Sequence, residues 1–139
     1  MAETDKPRLP ASAENISARG FNLHAGPFFK LLAEPDGMGG HYGFIALEKH
    51  MNSAGSVHGG VLMAFADIAM SRTARLLVGH GSSTVSFSFD FVGPGRLGDM
   101  IEAHVRIKKR TRSVLFQTAD LVAGERLLGL ASGVWRIGG

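Results

Sequence analysis

The 139-residue chain contains no cysteine, which excludes disulfides, thiolate metal sites and a cysteine nucleophile. No apolar run exceeds about ten residues, too short to span a bilayer. The first twenty residues are polar, carry Pro7 and Pro10, and hold no apolar signal core. The six histidines show neither His-x-x-x-His nor His-x-His spacing, so no metal site is expected. There is no Gly-x-Ser-x-Gly elbow and no phosphate loop ending in Gly-Lys-Ser/Thr. Basic residues do not alternate with aromatics along a stripe, which argues against nucleic acid. The net charge of +3 permits an anionic ligand without requiring one. What remains is one soluble, cytoplasmic globular domain: 45% of residues are apolar and 19% charged.

One stretch organises the rest. Asn52 to Gly60 is a polar, glycine-rich loop, and the following ten residues, Val61 to Met70, are apolar at nine positions. A helix apolar on nearly every side is a buried helix. The exception is Asp67, and a buried carboxylate is costly unless it is bonded, paired or protonated. The helix is expected from about Gly60 to Leu77, stopped before Gly79 and Gly81.

Around it, residues 1–22 read as an N-terminal tail and 23–139 as the domain. Gly26 to Glu34 reads as a short helix with Pro27 in its first turn. His41 to Lys49 reads as a strand. From Val85 to Phe91 the odd positions are Val85, Phe87, Phe89 and Phe91 and the even ones polar, the period-two signature of a half-buried strand. Ile101 to Lys108 alternates equally well, and Val114 to Val122 and Leu127 to Ile137 complete four consecutive strands, with Lys108 to Arg112 at a hairpin tip. Four meandering strands imply an antiparallel sheet wrapped on one helix, an α+β fold. One sheet cannot cover every side of a helix, so a second subunit is expected.

Chemistry concentrates in the central stretch. Free N–H groups at a helix start attract negative charge, and Gly59 and Gly60 let a ligand approach the backbone; the alternative is a tight strand-to-helix connection. Asp67 suits a general base or nucleophile; the alternative is an acid that caps a neighbouring loop. It stands about 10 Å along the axis from the N–H groups of its own helix start, so any joint action pairs two subunits. Asn52 could orient a water or a carbonyl, or satisfy its own turn. His58 could move protons, or pack and bond the loop. Met63, Phe65, Met70 and Phe87 line a pocket or form core.

Asn52, then Val57-His58-Gly59-Gly60-Val61, then Asp67 resembles the signature of hotdog-fold acyl-CoA thioesterases of the phenylacetate-pathway, PaaI-like type, within the 4-hydroxybenzoyl-CoA thioesterase superfamily. Phe91 to Asp99 resembles that family's strand, turn and next strand start, and the likeness spans roughly residues 40 to 137. The resemblance implies a long helix wrapped by an antiparallel sheet of about five to six strands, in a homodimer that often pairs into a tetramer, with active sites at the dimer interface. It further implies hydrolysis of an acyl-CoA to a free acid and coenzyme A with no separate cofactor. Gly59 would polarise the thioester carbonyl through its N–H, and Asp67 of the other subunit would attack or activate water. Asn52 would hold the water or carbonyl region, and a hydroxyl residue, Thr84 by position with Ser83 and Ser86 as rivals, would complete the site. His58 is carried as a further catalytic candidate, and Gly60, Ser83 and Met63 as substrate contacts. Arg96, Lys108, Lys109, Arg110 and Arg112 are candidates for coenzyme A phosphates by charge alone. The rivals are a hotdog hydratase or dehydratase, which would need a catalytic His in another motif, and a non-catalytic acyl-CoA-binding module.

Overall fold

The computed structural model describes residues 6–138; residues 1–5 of the expected tail and residue 139 of the expected domain lie outside the described residues. In chain order the elements are β1 (Glu14–Asn15), α1 (Gly20–Ala25), β2 (Phe29–Ala33), β3 (Gly39–Ile45), a 3-10 turn (Glu48–His50), α2 (Gly59–Val78), β4 (Ser83–Phe91), β5 (Met100–Arg110), β6 (Val114–Ala123) and β7 (Arg126–Arg136). The strands form one seven-stranded sheet in the order β1-β2-β3-β5-β6-β7-β4, antiparallel throughout. With α2 laid across it, this is the hotdog fold, with more strands than the five or six expected.

The differences from the sequence reading have physical causes. The expected helix over 26–34 is instead strand β2, and the short helix lies upstream as α1. Lys30 and Ala33 are in register with Tyr42 and Gly40 of β3, and Lys30 is also in register with Glu14 of β1. Ladder partners on both sides outweigh a weak local helix preference. The expected tail thus contributes β1 and the first half of α1. Of the four strands expected to meander, only β5, β6 and β7 do so. Strand β4 pairs with β7, at the edge of the sheet, and β3 pairs with β5. Between β3 and β4 the chain passes over β5, β6 and β7 through α2, so one face of the helix lies against the sheet.

Helix α2 begins where His58 caps it and ends at Gly79, whose φ of 77° lets its N–H return to the Arg75 carbonyl at 2.8 Å. Leu62, Phe65, Ala66, Ala69, Met70, Thr73 and Ala74 are its buried residues, one face at three- and four-residue spacing. Expected all-round burial does not hold for the single chain. Met63 and Leu76 on the other side are 37% and 53% exposed, and Asp67 is only half-buried, because one sheet reaches one side of a cylinder. The alternation expected in β4 is present, but Phe87 and Phe89 are half-buried while Val85 and Phe91 are 64% and 58% exposed. An edge strand has a neighbour on one side only. No helix among the described residues is long and apolar enough to cross a membrane.

Phe65 is the centre of the core. Its ring lies 4.7 Å from that of Phe44, edge-on, and 5.5 Å from that of Phe28, stacked. Two polar ties fix α2 to the sheet: buried Gln117 donates Nε2–H to the Met70 carbonyl at 2.9 Å, and Tyr42 and Thr73 share a hydroxyl bond of 3.1 Å. Phe65→Ala should therefore cost about 3–5 kcal/mol, read as a lower denaturant midpoint at unchanged slope.

Candidate active site

Two groups of residues sit at different places on α2. The first surrounds Asp67, on the helix side facing β4. The Thr84 hydroxyl donates to Asp67 Oδ1 at 2.7 Å. Behind it, Ser71 Oγ lies 3.4 Å from Thr84 Oγ1 and accepts the indole N–H of buried Trp135 at 2.9 Å. With Trp135 giving to Ser71 and Thr84 giving to Asp67, the Ser71 proton points at Thr84. The chain of donors runs from the core to the carboxylate and holds one of its oxygens. Among the described residues no donor is recorded to Oδ2. Asp67, Ile68, Ser71, Arg72, Arg75 and Ser82 border a cavity of about 310 Å³.

The second group is the start of α2. His58 Nδ1 accepts the N–H of Gly60 at 2.8 Å, so this nitrogen carries no proton in that arrangement and the imidazole acts as the helix cap. The N–H of Gly59, first in the helix, has no recorded partner among the described residues. It is one of the orphan donors that every helix start leaves, backed by the positive end of the dipole. A Cβ on Gly59 would meet the ring of Phe91 at 2.9 Å, so the β4 terminus packs against the helix start. A mostly apolar cavity of about 520 Å³ opens beside it, lined by Phe21, Met51, His58, Gly60 and Val61 among others.

The loop into the helix is held by its own bonds. Asn52 Oδ1 accepts from the N–H groups of Ala54 and Ser56 at 2.9 and 3.0 Å, and Nδ2 donates to Ser56 Oγ at 3.0 Å. Its amide is used within the turn. His50 is buried beneath: Nδ1 accepts the Leu47 N–H at 2.9 Å, and Nε2 lies 2.6 Å from the Ala25 carbonyl, which fixes Nε2 as the donor. Burial holds the His50 pKa below its ordinary value. The unfolded chain then binds more protons than the folded one between that lowered value and about 6.5, so stability is complete above about pH 6.5 and is lost as pH falls. The thermal midpoint should drop between about pH 7.5 and pH 5.5, and drop less in His50→Gln.

The structure thus brings Asp67 and Thr84 together and sets Gly59, Gly60 and His58 apart from them, eight residues or about 12 Å along the axis between Gly59 and Asp67. Ser83 is exposed beside Thr84, Ser86 is exposed further along β4, and Met63 is exposed on the outer side of α2. Sequence reasoning missed Ser71, Trp135 and Phe91 as parts of the two groups. Ser71 stands four residues after Asp67, one turn on, and that spacing was a signal; nothing local marked Trp135.

Residues 54–130 match the family model described as the thioesterase superfamily. A Pseudomonas aeruginosa protein named as an esterase is 37% identical over 92 residues, which cover 65% of this chain and 69% of that protein. Solved structures share the fold. A variant of the phenylacetic acid degradation protein PaaI from Thermus thermophilus superposes with a TM-score of 0.75 at 23% identity, covering 84% of this chain and 96% of the other. A hypothetical thioesterase of Streptococcus pneumoniae, solved with coenzyme A, superposes with a TM-score of 0.67 at 18% identity, covering 71% and 80%.

Proposed function

The chain belongs to the thioesterase superfamily and is a hydrolase of thioester bonds, and from that premise we propose that its substrate is an acyl-CoA, in the manner of the PaaI-like thioesterases. The observation that carries the reading is the pair of half-sites on one helix: a carboxylate with an open oxygen and an unpartnered N–H about 12 Å away. Each lacks what the other has. Two copies joined side by side, helix against helix, would bring Asp67 of one to the helix start of the other and cover the exposed side of α2. The free edge of β4 offers unpaired backbone groups through which the sheet could continue into the second copy. The assembly is a homodimer, with a dimer of dimers as its further step.

In the assembled site the thioester carbonyl oxygen accepts the Gly59 N–H, where the helix dipole stabilises the charge that develops on it. Asp67 of the facing subunit, its Oδ1 held by Thr84, uses Oδ2 to attack the carbonyl carbon or to take a proton from the attacking water. The C–S bond breaks, and the products are a carboxylic acid and the thiol of coenzyme A. Asn52 and His58 serve by shaping the loop that presents Gly59. Met63 and Gly60 flank the acyl path. Arg72 and Arg75, on the border of the Asp67 cavity, offer cations to the coenzyme A phosphates. The coenzyme A bound by the Streptococcus pneumoniae neighbour supports this ligand class.

The test is free-thiol release by purified protein over a panel of aromatic and aliphatic acyl-CoAs. Release from at least one acyl-CoA is expected. Hydrolysis of acyl carrier protein thioesters alone, or tight acyl-CoA binding without turnover, would overturn the substrate assignment.

A further inference from the structure

On the outer face of the sheet, opposite the face that carries α2, three side chains converge from two strands. His41 of β3 is directly in register with His104 of β5, and their rings stack with centroids 4.4 Å apart. Glu102 is two residues from His104, hence on the same face. Its Oε1 lies 3.6 Å from His41 Nε2 and its Oε2 3.7 Å from His104 Nε2. Ligating atoms of all three side chains lie within 4.8 Å of one another.

We propose that His41, Glu102 and His104 bind a divalent transition-metal cation, of which zinc is the prime candidate. In a tetrahedral zinc site with bonds of about 2.0–2.2 Å the ligand atoms stand about 3.3–3.6 Å apart, and the two His–Glu separations, one to each carboxylate oxygen, lie within a few tenths of an ångström of that spacing. The donor set of two imidazoles and a carboxylate suits zinc and neighbouring metals of that row. An independent observation points the same way: His41 Nε2 is shut away from solvent, has no hydrogen-bond partner, and faces Glu102 at a distance too long for a hydrogen bond. A buried ring nitrogen without a partner is uncommon and needs an occupant. Asp120 of β6 is the register partner of His104 and adds a carboxylate on the same face. Arg106, two residues beyond His104 on the same face, is taken by Asp36 at 2.9 Å, with Glu34 at 3.7 Å. A bound metal would leave at least one coordination position open and would clamp β3 to β5.

The experiment uses the full chain stripped with a chelator, then titrated with zinc by calorimetry, alongside His104→Ala and Glu102→Gln. One zinc per chain is expected, with affinity at least about tenfold lower in each variant. Zinc should raise the thermal midpoint of the wild type and not of His104→Ala. Cobalt, used as a spectroscopic probe, should give visible ligand-field bands that His104→Ala lacks. Absence of zinc binding by the wild type, or equal binding and equal thermal shift in His104→Ala, would overturn the proposal. His104 is exposed, so its replacement leaves the core intact.

Discussion

Replacing Asp67 by Asn should leave a folded protein whose thioester hydrolysis falls by about 10²–10⁴-fold, the usual contribution of a positioned base or more. The substitution keeps the shape of the side chain. Thr84 can still donate to the amide oxygen as it does to Oδ1, so the link to Ser71 and Trp135 survives. What is lost is the negative oxygen that faces the cavity. Thermal unfolding should change little, and acyl-CoA should still bind, since repulsion between a carboxylate and an anionic ligand is removed. Wild-type turnover in Asp67→Asn would remove Asp67 from the chemistry.

The second large effect is expected from Gly59→Pro. Gly59 is the first residue of α2, where proline is well tolerated because the N–H it lacks is not used by the helix. Residue 58, preceding it, sits at φ −59° and ψ 131°, the extended region that a following proline requires. The substitution therefore removes the donor assigned to the carbonyl while keeping the helix. The loss should be about 10²–10³-fold in kcat, as for deletion of one oxyanion donor. Gly59→Ala is the control. It brings the same Cβ to within 2.9 Å of the exposed Phe91 ring but keeps the N–H. The difference between the two variants reports the loss of the N–H together with the ring carbons that replace its proton. Equal activity of the proline and alanine variants would show that the Gly59 N–H does not act.

Much of this architecture is legible in the sequence because its signals are local. Helix α2 runs from Gly59 to Val78, one residue beyond the expected span at each end, since its limits are set by glycines and its body by apolar residues. Strands β4 to β7 follow from period-two alternation and turn residues. The order of strands was not legible. That β4 pairs with β7 rather than β5 depends on how the chain crosses the sheet, which no window of sequence contains. Likewise β2 forms because β1 and β3 flank it, although its own residues read as helical. The site shows the same division. Asp67 stands out as a carboxylate in an apolar run, and Thr84 by its place in the strand that follows. The Trp135 indole reaches Ser71 from the last strand, 64 residues away. His41 meets Glu102 and His104 only through strand register, so histidine spacing along the chain could not reveal the cluster. Exposure of Asp67 and of the outer side of α2 also departs from the expectation, because a single chain supplies one sheet.

The central claim is that Gly59 and Asp67 act together from different subunits. The most direct measurement is subunit complementation: co-express Asp67→Asn and Gly59→Pro with different affinity tags, purify the mixed species through both tags, and measure thiol release. In a mixed dimer one site has both defects and the other has neither. Random pairing makes half the dimers mixed, so an equal mixture should recover about a quarter of wild-type activity, and the doubly purified mixed dimer about half. Activity in the purified mixed dimer no higher than that of the two parents would contradict the account and return both residues to a single subunit.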